Sequence, residues 1–132
     1  MNIVQQLLKL DAKEIKMPTG THKMFCKKLG QEMEFPIKAI DAEKVSEIQE
    51  KAIDLSKGEV TSINTFKLKT NTIIEGCDTF RNKELMAHFN TPTPVELLRK
   101  LLLSGEMNSL NNAINELNGV KEEKETTDEI KN

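Results

Sequence analysis

The chain has 132 residues, enough for one domain that buries roughly two-thirds of its unfolded surface. Its 19 basic and 21 acidic residues leave a formal net charge of -2, which excludes a general electrostatic pull towards nucleic acid or anionic lipid. With five Phe, no Trp and no Tyr, the core and any partner surface must be built from aliphatic side chains and Met.

In chain order, residues 2–10 place Ile3, Leu7 and Leu10 on one helical face. This opening segment lacks the basic leader and small-residue cleavage site of a signal peptide. No apolar run reaches the roughly 20 residues that span a bilayer. Pro18-Thr19-Gly20 breaks the chain, and 23–40 then suits a β-hairpin. Met24 and Cys26 alternate on one strand, Phe35, Ile37 and Ala39 on the other, with the turn at Gly30-Gln31. Pro36 cannot donate to a ladder, so its strand is expected at an edge or with a bulge. Asp41 has the chemistry of an N-cap. Val45, Ile48, Ala52 and Leu55 follow at helical spacing, with a stop at Lys57-Gly58. Residues 61–75 read both ways: Phe66, Leu68, Thr70 and Thr72 alternate like a strand, whereas Ile63, Phe66, Ile73 and Ile74 share a helical face.

Residues 82–89 suit a short helix with Leu85, Met86 and Phe89 inward. Thr93-Pro94-Val95-Glu96 has capping-box spacing with Pro at the first helical position. Val95, Leu98, Leu101 and Leu102 then form one face, with Leu97 alongside. Together with Leu103 they cover a wider arc than one-sided packing needs. That leaves two options open, a central place in the domain or a contact with another subunit. Ser104 is expected to cap a last helix whose stripe is Met107, Leu110, Ile114 and Leu117, closed by Asn118-Gly119. Residues 121–132 hold one aliphatic residue, Ile130, among charges and threonines, and are expected to be disordered.

Chemistry has few candidates. His22 and His88 are the imidazoles, and neither stands in a nucleophile turn or triad-like context. Cys26 and Cys77 have no metal-ligand spacing and read as free thiols of a reducing cytosol. The glycines form no phosphate loop. No cofactor or metal is expected, and the expectation is a protein that is not an enzyme. The two helices joined at Ser104-Gly105 offer a helix-turn-helix alternative, because Asn108, Asn111, Asn112 and Asn115 project from the second helix and Asn reads adenine. Residues 104–120 contain no Lys or Arg, so the phosphate contacts that drive DNA binding are missing.

The stretch DTFRNKELMAHFNTPTPVELLRKLLLSGEMNSLNNAINELNGV, residues 78–120, resembles the C-terminal half of phage and prophage tail assembly chaperones. The matching elements are Asp78, then Asn82-Lys83-Glu84-Leu85, the Leu-Leu, basic pair, Leu-Leu helix of 97–102, Gly105-Glu106 and Leu117-Asn118-Gly119. Ser104 stands where the family often has Pro. Upstream, the likeness is weaker but collinear from about residue 20, and it favours helix for 62–75. It implies an α+β fold, predominantly α-helical, with an N-terminal β-hairpin followed by a bundle of four to five short helices. One domain over 1–120 would precede a charged tail over 121–132. The implied role is to bind the tape measure protein in the host cytoplasm until the tail tube polymerises, without remaining in the finished particle. Self-association, and a frameshifted longer form that contacts tube protein, are implied with it; nucleic acid and membrane are not. The faces of Leu97, Leu98, Leu101 and Leu102, and of Met107, Leu110, Ile114 and Leu117, are the expected packing and assembly surfaces.

Overall fold

The structure, a computed structural model, describes residues 2–56 and 59–120, and their side chains outside 54–61. The expected helix stop at Lys57-Gly58 and the tail 121–132 lie outside the described residues. Helix α1 (Ile3–Leu8) is opened by a reciprocal cap. Asn2 Oδ1 accepts from the Gln5 N–H at 2.8 Å, and Gln5 Oε1 accepts from the Asn2 N–H at 3.2 Å. A 3-10 turn, Ala12–Glu14, follows.

Strands β1 (Thr19–Cys26) and β2 (Gln31–Lys38) form the expected hairpin, in antiparallel register from Thr19↔Lys38 to Cys26↔Gln31. Alternation sends Cys26, Phe35 and Ile37 into the core. Pro36 is tolerated because both strands of a two-stranded sheet are edges. Two details differ from the sequence reading. Thr19 and Gly20 belong to the strand instead of breaking the chain, since Thr19 and Gly20 pair with Lys38 and Ile37. The turn occupies 27–30, closed by Cys26 C=O accepting from the Leu29 and Gly30 N–H groups, with Gly30 at φ +69°.

Asp41 Oδ2 accepts from the Glu43 N–H at 3.1 Å and starts α2 (Ala42–Lys51). The helix stops at Lys51, earlier than expected. Leu55, which continues the helical spacing, lies instead in a second antiparallel hairpin, β3 (Ile53–Ser56) and β4 (Glu59–Ile63). Its base is closed by Ala52 C=O accepting from the Asn64 N–H at 2.7 Å. Of the two readings of 61–75 the helical one holds: Phe66, Leu68, Thr70 and Thr72, whose alternation suits a strand, lie in α3 (Thr65–Gly76), capped by Asn64 Oδ1, while Ile63, expected on the helical face, ends β4.

A 3-10 turn (Asp78–Arg81) leads to α4 (Lys83–His88), capped by Asn82, and to α5 (Pro94–Leu101), where Thr93 Oγ1 accepts from the Glu96 N–H at 3.2 Å. Helix α6 (Ser104–Leu117) completes the described chain. Ser104 is its first helical residue, not its cap. The cap position is Leu103, which has no acceptor, and the Leu103 N–H instead donates to Glu106 Oε1 at 2.9 Å.

Helices α3 and α6 pack against each other at the centre, flanked by α2, α5 and the β1–β2 hairpin. Ile73, Phe80, Leu97, Leu98, Leu110 and Ile114 are 0 % exposed. Phe35 brings the hairpin onto this core by stacking on Phe80, with ring centroids 5.7 Å apart. Gly76 makes the α3–α6 approach possible, because a Cβ there would lie 2.6 Å from Ile114 Cγ2.

Candidate protein-interaction surface

The leucine stripes turn inward. Leu97, Leu98, Leu101, Leu102, Met107, Leu110 and Ile114 are all buried within the chain, and Leu117 is half-buried against the same core. The wide apolar arc of α5 reflects its packing against α3, α4 and the 3-10 turn at 78–81. Only Leu103, at 39 %, stays substantially open to solvent.

The motif residues that accompany those stripes are joints between elements. Glu106 accepts from the Leu103 N–H through Oε1 and, across the molecule, from the Lys27 N–H through Oε2 at 2.9 Å. One carboxylate thus ties the hairpin turn to the start of α6. Partial burial works to raise the Glu106 carboxyl, but these hydrogen bonds outweigh it and hold the group below the ordinary glutamate value. Lys28 Nζ adds a second tie by donating to the Arg99 carbonyl at 2.7 Å. Asn118 serves the other end of α6, where its Oδ1 accepts from the Ile40 N–H at 2.7 Å and holds the link between β2 and α2. Gly119, at φ +86°, takes the left-handed turn that ends the helix. Asp78 accepts from Arg81 and from Lys38, which keep its carboxyl below the usual range and connect β2 to the 3-10 turn. Glu84 is exposed in the first turn of α4, Leu85 is half-buried against the core, and Gly105 is exposed in the first turn of α6.

Two surface features lie outside the packing and assembly surfaces expected from the sequence. The first is the segment 3–17. Ile3, Val4, Leu7, Leu8, Leu10, Ile15 and Met17 are all exposed, with Ile3 at 64 % and Leu8 at 79 %. Helix α1 has no buried residue and no substantial packing against any other element. A run of exposed aliphatic side chains of this kind marks a candidate interaction site. The second is a cleft of about 280 Å³ between α2, α3 and α6. Ile40, Val45, Ile48, Leu68 and Val120 supply its aliphatic wall. Its polar lining is almost uncharged: Gln49, Thr65, Thr72, Asn111 and Asn115 are joined by one cation, Lys69. The sequence signal for both was present, as aliphatic residues before Pro18 and asparagines at 111 and 115. Periodicity reports that an apolar face exists but not what covers it.

His22, Cys26 and Cys77 sit in structural settings, and His88 is exposed at the end of α4. His22 Nε2 lies 2.8 Å from Ser109 Oγ and joins β1 to α6. Cys26 and Cys77 are free and buried; burial, and for Cys26 then the Glu106 charge, pushes both thiols up, so they stay protonated. Among the described residues no group of three His, Cys, Asp or Glu could hold a metal ion, and no helix is long and apolar enough to cross a membrane.

Two β-hairpins set among helices, with Asp78, Glu106 and Asn118 joining the elements, make a mixed, mainly helical fold with the features of a tail assembly chaperone in the motif residues 78–119. The model of the phage XkdN-like tail assembly chaperone family matches residues 4–131, and the chain belongs to that family. It is 30 % identical over 128 residues to the phage-like element PBSX protein XkdN of Bacillus subtilis (strain 168), a match that spans 91 % of this chain and 84 % of that protein. The crystal structure of the protein YqbN is similar in fold, with a TM-score of 0.56 at 24 % identity over 80 % of this chain and 90 % of that one.

Proposed function

We propose that the protein binds the tape measure protein of its tail and keeps it soluble until the tail tube polymerises. A tape measure segment is a long amphipathic helix whose apolar stripe is open until the tube encloses it. Such a stripe fits an aliphatic groove between helices. The observation that carries this reading is the α2–α3–α6 cleft in a member of this chaperone family. Its size lies just below the roughly 300–1,000 Å³ typical of small-molecule sites, and its form suits side chains presented along a helix. Weak binding at many positions along one tape would give avidity while leaving each copy free to depart as the tube advances. The chaperone then acts in the host cytoplasm and leaves before the particle is complete. A longer form, made by a frameshift near the codons for 121–124, would bring tube subunits to the same client.

The test is a charge in the cleft. Val45 and Leu68 are half-buried lining residues, so Val45→Asp or Leu68→Asp alters the wall without removing a fully buried core side chain. Each folded variant should capture purified tape measure segments at least about tenfold more weakly than the wild type, as expected for burying an unpaired carboxylate. Unchanged capture by both folded variants would place the client elsewhere.

A further inference from the structure

We infer that α1 of one copy seats in the α2–α3–α6 cleft of a second copy, so that two chains associate by reciprocal exchange of their N-terminal arms. The association concerns the chaperone alone and does not rest on which client it binds. Four observations carry it. First, a helix of six residues is marginal in water without tertiary packing, since isolated helices shorter than about 12–15 residues rarely persist. Helix α1 is nevertheless formed and capped, with Ile3, Val4, Leu7 and Leu8 spanning an apolar arc of about 140° at 100° per residue. Its shape presupposes a surface to lie on.

Second, the chemistry of donor and acceptor agrees. Helix α1 carries no charge, and its other face is Gln5 and Gln6. The cleft offers an aliphatic wall with the amides of Gln49, Asn111 and Asn115 beside it. Charged residues would be desolvated there at a cost, whereas amides pair with amides. Val120, the last described residue, lines the cleft, but the sequence that follows it holds only Ile130 among charged and polar residues. It fits this lining poorly.

Third, the arm is rooted beside the cleft. Pro18 C=O accepts from the Ala39 N–H at 2.8 Å, one residue from Ile40 in the cleft wall. A two-fold axis near that root would set each arm next to the partner's cleft, and residues 9–17 span at most about 30 Å, less with the 3-10 turn at Ala12–Glu14 in place. Fourth, the arm stands clear of its own cleft, leaving donor and acceptor both open within one chain. Two-fold symmetry makes the arm–cleft contact twice, which moves the total buried area towards the ~1,200–2,000 Å² of a stable association.

The experiment has two parts. In sedimentation velocity the full chain should run above the 15.0 kDa of one copy at micromolar concentration, and Leu7→Asp should weaken association at least about tenfold with unchanged far-UV circular dichroism. In parallel, chains carrying Gln6→Cys are mixed with chains carrying Asn115→Cys and oxidised; the native thiols are buried and do not compete. A disulfide-linked pair made of one chain of each kind is expected. A wild-type chain that stays at 15.0 kDa, an unaffected Leu7→Asp assembly, or the absence of a disulfide between the two kinds of chain would overturn the inference.

Discussion

Glu106 shows how one side chain can hold two distant parts of the chain. Its oxygens accept from Leu103, three residues away, and from Lys27, 79 residues away. Glu106→Ala leaves both N–H groups to solvent and should lower stability by about 1–2 kcal/mol, measurable by urea denaturation. Glu106→Gln keeps the shape and loses the charge, so it should cost less. The pH dependence follows from the lowered carboxyl. A group depressed in the folded state contributes stability that is complete above the unfolded glutamate value, about 4.3, and is lost as pH falls through the lower folded value. Wild type should therefore lose more stability than Glu106→Gln between pH 5 and pH 3, as approximate bounds on that window. Equal losses would show that the carboxylate is not held by these bonds. The pair Gly105-Glu106 was visible in the sequence, but the Lys27 contact was not, because nothing local links a hairpin turn to a helix start across 79 residues.

At the scale of elements, two of the side-chain caps were legible in the sequence. Asp41 and Thr93 stand before their helices as their chemistry requires, whereas the Asn82 cap was not singled out. Ser104 misled, because Glu106 reaches back to the Leu103 N–H and makes a hydroxyl cap unnecessary. The β3–β4 hairpin was hidden for another reason. Val45, Ile48, Ala52 and Leu55 keep helical spacing past the true end of α2, and strands of four and five residues offer too few alternations to compete. Tertiary closure, through Asn64 and the Ala52 carbonyl, decides the outcome. Helix α5 gives the sharpest test at this scale. Leu101 is 8 % exposed within one chain, so Leu101→Asp buries an unpaired charge at a cost of about 3–5 kcal/mol. It should produce an unfolded or aggregated chain by circular dichroism. A folded chain with wild-type stability and a smaller assembly would instead assign Leu101 to a contact between copies.

At the scale of the whole molecule, the same aliphatic chemistry serves two ends. The stripes of α5 and α6 are used up inside the chain, while the segment 3–17 and the α2–α3–α6 cleft leave apolar surface available. The sequence identified the family through the residues that lock the interior, and those residues say nothing of the surface on which a client lies. That division explains why the fold could be anticipated more fully than the site. It also makes arm and client rivals for one cleft, so the folded Leu7→Asp chain should capture tape measure segments at least as well as wild type. Soluble yield of the tape measure protein, expressed alone and together with this chain, tests the central claim most directly. The account predicts that the tape measure protein aggregates alone and stays soluble in a complex containing this chain. A tape measure protein equally soluble without it, or one that aggregates while this chain remains soluble beside it, would contradict the account.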